Sequence, residues 1–188
     1  MGHSFGGFTS LAVAGASLDM ARLEADCLGD DGPGCQVVRD WRAAHPGQDR
    51  LDRSDPRAWA AVPLAPAWHE YFGAGLGDIH VPSLVVGGQL DDLTSMGSAV
   101  EPCYRGLRAV PRYLAELEGA GHYSFTDFCP VVGTDFNGCG PEARAPAEVL
   151  ETLRTVGLAF LLSLGGEIRA GDWLPPPQGV SHWEAVED

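Results

Sequence analysis

Met1-Gly2-His3-Ser4-Phe5-Gly6-Gly7 opens the chain, and Gly2, Ser4 and Gly6 within it stand in the pattern G-x-S-x-G. A helix-compatible run from Phe8 to Ala16 follows at once. That pattern is a tight turn from strand to helix that holds a serine exposed and strained. Glycine is expected at both flanking positions, Gly2 and Gly6, because a side chain there would meet neighbouring backbone. The strand that should lead into the turn is missing from the sequence ahead of it. Met1 therefore reads as an internal residue taken as a start, and the chain as the downstream half of a longer fold.

Working outward from the turn, residues 17 to 57 are charged and broken by Gly and Pro, with a short helix expected at 37 to 44. This stretch reads as an irregular excursion or lid. Ala60 to Leu64, closed by Pro66, and Ser83 to Val86, between Pro82 and Gly87-Gly88, are short apolar runs of the kind that form buried parallel strands. Met96 to Ala109 has helical character despite Pro102, Arg112 to Leu117 reads as a third strand, and Ala147 to Leu164 as an apolar terminal helix. Strands alternating with helices predict an α/β domain with a mostly parallel sheet, here over residues 1 to 170. Residues 171 to 188, which include Pro175-Pro176-Pro177, read as an extended tail.

A serine hydroxyl is a weak nucleophile, and it needs a base in hydrogen-bonding reach and an acid to orient that base. Both follow in the order this kind of turn requires, each just past a strand. Asp91 comes after Ser83 to Val86 through Gly87-Gly88-Gln89-Leu90, and His122 after Arg112 to Leu117 through Glu118-Gly119-Ala120-Gly121. Asp92 is the rival acid; the spacing Gly88-x-x-Asp91 fits better and leaves Asp92 as a solvated or capping residue. The backbone N–H of Phe5, next after the nucleophile, is the expected donor to the oxyanion, and its companion donor belongs to an earlier strand that the sequence lacks. Trp68 and His69, in an aromatic cluster past the first strand, are candidates to line an acyl or aromatic pocket, with core packing the alternative for Trp68. Tyr123, beside His122, either shapes the leaving-group side or packs its loop. His3 reads as a packing residue; His45, His80 and His182 read as surface residues.

The bulk properties narrow the function classes. A chain of 188 residues, 45% hydrophobic and 20% charged, can bury one core. With 12 basic against 26 acidic residues the net charge is -14, which repels nucleic acid and anionic membranes. No apolar stretch reaches the roughly 18 residues of a membrane span. Cys27, Cys35, Cys103, Cys129 and Cys139 lack zinc-site spacing, so neither metal nor cofactor is expected. Cys27 with Cys35, and Cys129 with Cys139, each bracket a short loop. They read as two disulfides with Cys103 left over, or else all five are reduced thiols. The first reading tips the location toward secretion or the periplasm.

On the segments GHSFGG (2–7), VPSLVVGGQLDD (81–92) and GAGHYSFTDFC (119–129), the chain resembles the downstream half of α/β-hydrolase esterases related to platelet-activating-factor acetylhydrolase and the dienelactone hydrolases of bacteria. More loosely it is similar to bacterial cutinases and polyester hydrolases, through Pro66-Ala67-Trp68-His69. The resemblance implies the C-terminal half of a three-layer α/β-hydrolase sandwich and a serine carboxylic ester hydrolase. It implies Ser4 as nucleophile, Asp91 as acid, His122 as base and Phe5 as an oxyanion donor. The substrates it implies are short acyl esters or lipids of the platelet-activating-factor kind, with polyester as the alternative. True dienelactone hydrolases use cysteine where this chain has Ser4, which disfavours that lactone chemistry. Lacking the upstream strands, the sheet is expected to have an open edge that favours self-association, or to be inactive without an upstream half.

Overall fold

The computed structural model describes residues 1–134, 136–166 and 178–187. Among the described residues five strands form one sheet in the order β1 (Gly2–His3), β4 (Pro63–Leu64), β5 (Ser83–Gly88), β6 (Arg112–Leu117) and β7 (Val180–Val186). β1, β4, β5 and β6 run parallel to one another, and β7 pairs antiparallel with β6. The domain is therefore α/β with a mixed, mostly parallel sheet.

β5 is buried at all six of its positions, as its unbroken apolar run demands. Alternate side chains leave it on opposite faces. Leu84 and Val86 join a cluster with Val149, Leu153, Val156 and Phe160 of α6 (Pro146–Leu164). Val85 joins another with Leu11 of α1 (Phe5–Val13) and with Phe72, Ile79 and Val100. α6 begins with Pro at its first position, where a missing N–H costs nothing, and sends Val149, Leu153, Val156 and Phe160 to the sheet at helical spacing. Each fully buried aliphatic side chain adds about 1.5–3 kcal/mol.

The differences from the sequence reading have physical reasons. The turn at Ser4 does have a strand before it, the two residues of β1, which pair with β4 and form one edge of the described sheet. The strand expected at 60–64 is reduced to Pro63–Leu64 plus an isolated bridge at Ala61, because Pro63 cannot donate and Ala65 turns the chain at φ 44°. The helix expected from Met96 to Ala109 is a wide turn at Met96–Val100 followed by α4 (Glu101–Gly106), with Pro102 in its first turn.

The excursion is ordered rather than irregular. It holds β2 (Leu18–Asp19), α2 (Met20–Asp26), α3 (Pro33–Ala44) and β3 (Arg50–Leu51), with β2 and β3 antiparallel. The Asp19 carboxylate caps α2 by accepting from Arg22 N–H at 3.0 Å, and Pro33 opens α3. The far end of the tail is β7, held by its ladder to β6 and by Trp183 stacked on Tyr113. Pro175-Pro176-Pro177 and the expected domain boundary at 170 lie outside the described residues. Cys27–Cys35 and Cys129–Cys139 are disulfides, and Cys103 is a buried thiol that burial pushes up to about 12. Among the described residues no helix is long and apolar enough to cross a membrane.

Candidate active site

Ser4 caps the N-terminus of α1 at φ 56° and ψ −116°, a backbone state costly for any residue with a Cβ. Two close approaches hold it there. A Cβ on Gly2 would run into the backbone of Gly6, and one on Gly7 would come within 3.2 Å of the Leu64 carbonyl oxygen and 3.0 Å of Pro66. Gly6 itself has open space where a Cβ would sit, so the flanking glycine that sterics require is Gly2, not both. Phe5 is the first helical residue, and its N–H is one of the donors a helix start leaves without an intrahelical partner.

β5 and β6 deliver the other two groups to the same end of the sheet. Ser4 Oγ lies 3.0 Å from His122 Nε2, and His122 Nδ1 lies 2.9 Å from Asp91 Oδ2. A carboxylate can only accept, so Nδ1 carries the proton and Nε2 is left to accept from Ser4. Asp91 and His122 are each 4% exposed. Burial alone would raise the Asp91 carboxyl. The hydrogen bond from His122 and those from Thr94 outweigh it and hold the carboxyl below its ordinary value. Asp91 Oδ1 accepts from Leu93 N–H at 2.9 Å and Thr94 N–H at 2.8 Å, while the Thr94 hydroxyl donates to Oδ2 at 2.8 Å. Asp92 points elsewhere, to the side-chain amide of Asn137.

The surroundings are aromatic on two sides. Trp68 sits at φ 53°, an uncommon state for so bulky a residue, and is 52% exposed. Its ring meets Phe5 edge-on at 5.5 Å, and Phe5 stacks on Phe8 at 5.6 Å. Across the site Tyr123 meets the His122 ring edge-on at 5.2 Å and contacts Phe128 and Phe136. Tyr123 also borders a cleft of about 480 Å³ with Asp92, Leu93, Phe136, Asn137 and Glu142. His69 opens the short turn after Trp68 and is largely buried. Its ring lies 3.5 Å from Glu70, and burial keeps its pKa low. α2 of the excursion packs against this turn.

His3 packs 4.6 Å from the His122 ring and 5.8 Å from Phe125. Burial, then the nearby His122, lower its pKa, which keeps it neutral beside that imidazole. His80 and His182 are exposed, while His45 stacks on Trp41, half-buried. Sequence reasoning missed Thr94 and Asn137. The spacing Asp91-x-x-Thr94, in which a carboxylate accepts the N–H three residues on, could have flagged the first. Asn137-Gly138 beside Cys139 marks only a turn.

No family model matches the chain. The chain is similar to two curated cutinases. One is Cutinase 1 of Thermobifida cellulosilytica, 32% identical over 79 residues, which is 42% of this chain and 29% of that protein. The other is the Cutinase of Thermobifida fusca (strain YX), also 32% identical over 79 residues, covering 42% of this chain and 25% of that protein. The match thus spans less than a third of either relative's length.

Proposed function

We propose that the protein is a serine carboxylic ester hydrolase built on the C-terminal part of a three-layer α/β-hydrolase sandwich. The observation that carries this is the hydrogen-bonded line from Ser4 through His122 to Asp91, at 3.0 and 2.9 Å. Ser4 Oγ attacks the ester carbonyl while His122 Nε2 takes its proton. The Phe5 N–H donates to the oxyanion that forms. As the tetrahedral intermediate collapses, His122 returns the proton to the departing alkoxide, leaving an acyl group on Ser4. Water, activated by the same imidazole, then releases the acid. Asp91 holds the imidazole in its Nδ1–H tautomer and offsets its transient positive charge.

Short-chain acyl esters and lipids of the platelet-activating-factor kind are the proposed substrates. Trp68 with Phe5 would offer one wall to the acyl chain and Tyr123 the other, while His69 supports Trp68 from the following turn. A polyester reading is favoured by two observations: Phe5 and Trp68 are 57% and 52% exposed, an open aromatic shelf that a chain rather than an enclosed molecule could cross, and the relatives are named cutinases. Self-association remains a companion proposal. It is supported by β1 at the sheet edge and by the adjoining groove that Met1, Trp59, Val62 and Leu158 line.

Hydrolysis of p-nitrophenyl acetate and butyrate tests the proposal. Ser4→Ala should lower kcat by at least about 10⁴-fold, given how steeply serine hydrolases depend on the nucleophile. Full activity in that variant would sink the assignment. Light scattering, with and without Leu158→Glu, reads the self-association.

A further inference from the structure

Asn137 belongs to a ring closed by the Cys129–Cys139 disulfide, and its side chain spans the two loops that carry the acid and the base. Its Oδ1 accepts the backbone N–H of His122. Its Nδ2 donates to the Leu90 carbonyl at 3.1 Å and to the Asp92 carboxylate. Only this orientation of the amide serves all three partners, since an N–H needs an acceptor while a carbonyl and a carboxylate need a donor. The ring's backbone is docked on the same loop. Tyr123 N–H donates to the Asn137 carbonyl at 2.9 Å, and the Ser124 hydroxyl donates to the Gly138 carbonyl at 3.1 Å. Gly121 lets the two backbones meet, because a Cβ there would collide with Gly138.

Elsewhere the acid and base loops are joined near their roots, through Leu90 N–H to Ala120 O at 2.8 Å and Gly119 N–H to the Gln89 side chain at 3.0 Å. At their tips the crossing bonds are the His122–Asp91 bond itself, the Thr94 hydroxyl beside His122 Nδ1, and Asn137. We propose that Asn137 is a positioning residue that fixes His122 against Asp91, and that the Cys129–Cys139 disulfide contributes to the reaction by presenting it. This rests on the serine-hydrolase reading above. Asn137 touches none of the reacting atoms; it acts through the backbone of His122.

The test compares Asn137→Ala, Cys129→Ser/Cys139→Ser and their combination in the full chain. Two readouts are used: the rate at which a p-nitrophenyl alkylphosphonate modifies Ser4, and the low-field proton resonance of the His122 Nδ1–H. Asn137→Ala should slow modification about 10- to 100-fold, the cost of a small misplacement, and should shift or broaden the resonance. The disulfide variant should show the same loss and the combination no more, since both remove one device. Wild-type rate and resonance in Asn137→Ala would overturn the proposal, as would additive losses in the combination. If Asn137→Ala does not fold, Asn137→Asp retains the acceptor for His122 N–H but neither donor. It should still shift the resonance and slow modification, and wild-type values for both would overturn the proposal. Failure of the underlying reading looks different: Ser4→Ala would be modified as fast as wild type, or the wild type not at all, while the resonance still reports whether Asn137 positions His122.

Discussion

The loops at 88–94 and 119–125 and the excursion at 17–57 are both held by polar contacts, yet they are built in opposite ways. The site loops are short and buried: Asp91, Thr94, His122 and Ser124 are at most 6% exposed and bond to one another or to neighbouring backbone. The excursion is long and exposed. α3 buries no residue, and its ties include the Cys27–Cys35 disulfide and Arg42, which donates to Glu24 at 3.0 Å and to Asp49 at 2.9 Å. In low dielectric each polar bond is stronger and each broken one costlier. At the surface, water replaces what a mutation removes. Polar contacts therefore fix side-chain geometry in one region and hold chain at the surface in the other.

That contrast can be broken or sharpened by substitution. Asp91→Asn should have the largest effect. It preserves shape but spoils the tautomer of His122, so kcat on p-nitrophenyl butyrate should fall about 10⁴-fold, and the melting temperature should fall too, since an amide NH2 now faces donors that the carboxylate accepted. Thr94→Val comes next. It removes the hydroxyl donor from a buried carboxylate, and denaturant unfolding should show a loss of about 1–3 kcal/mol alongside a fall in kcat. Cys27→Ser/Cys35→Ser, in the excursion, should cost about 2 kcal/mol in the same unfolding experiment while kcat stays at the wild-type value. A drop in kcat as large as that of Thr94→Val would mean the excursion takes part in the site.

The smallest expected effect is in the pH dependence of stability. Asp91 titrates below its ordinary 3.8 in the folded chain, so its contribution is complete above that pH and is lost as pH falls through the lower folded value. His3 titrates below its ordinary 6.5. The unfolded chain therefore takes up its proton first, and stability falls as pH drops from about 6.5. His69, also held low by burial, adds to that limb, so melting curves of His3→Gln should show it weakened and the first limb retained.

How much of this was legible depends on where the information lies along the chain. β5 and β6 read directly from their apolar runs, and the turn at Ser4 from its glycine spacing, because each signal is local. β7 did not, since Ser181-His182-Trp183-Glu184 carries the mixed polarity of an edge strand and is an ordered strand only because β6 is beside it. The helices of the excursion were masked by Gly and Pro, which here mark caps and first turns. In the site, Ser4, Asp91 and His122 could be named from order and spacing. Asn137 could not, because its meaning comes from two loops 15 and 47 residues away in sequence. Nor could it be seen that Gly2 rather than Gly6 is the glycine that sterics demand, which depends on the return of the helix backbone over the strand.

The most direct test of the account is to identify the atom that becomes covalently bound. The full chain is incubated with a p-nitrophenyl alkylphosphonate, released p-nitrophenolate is followed, and the protein is digested and mapped by mass spectrometry. The account predicts one equivalent of p-nitrophenolate per chain, with the phosphonyl group on the peptide containing Ser4, and no modification in His122→Ala. Modification of a different residue, or ester hydrolysis by a chain whose Ser4 stays unmodified, would contradict it.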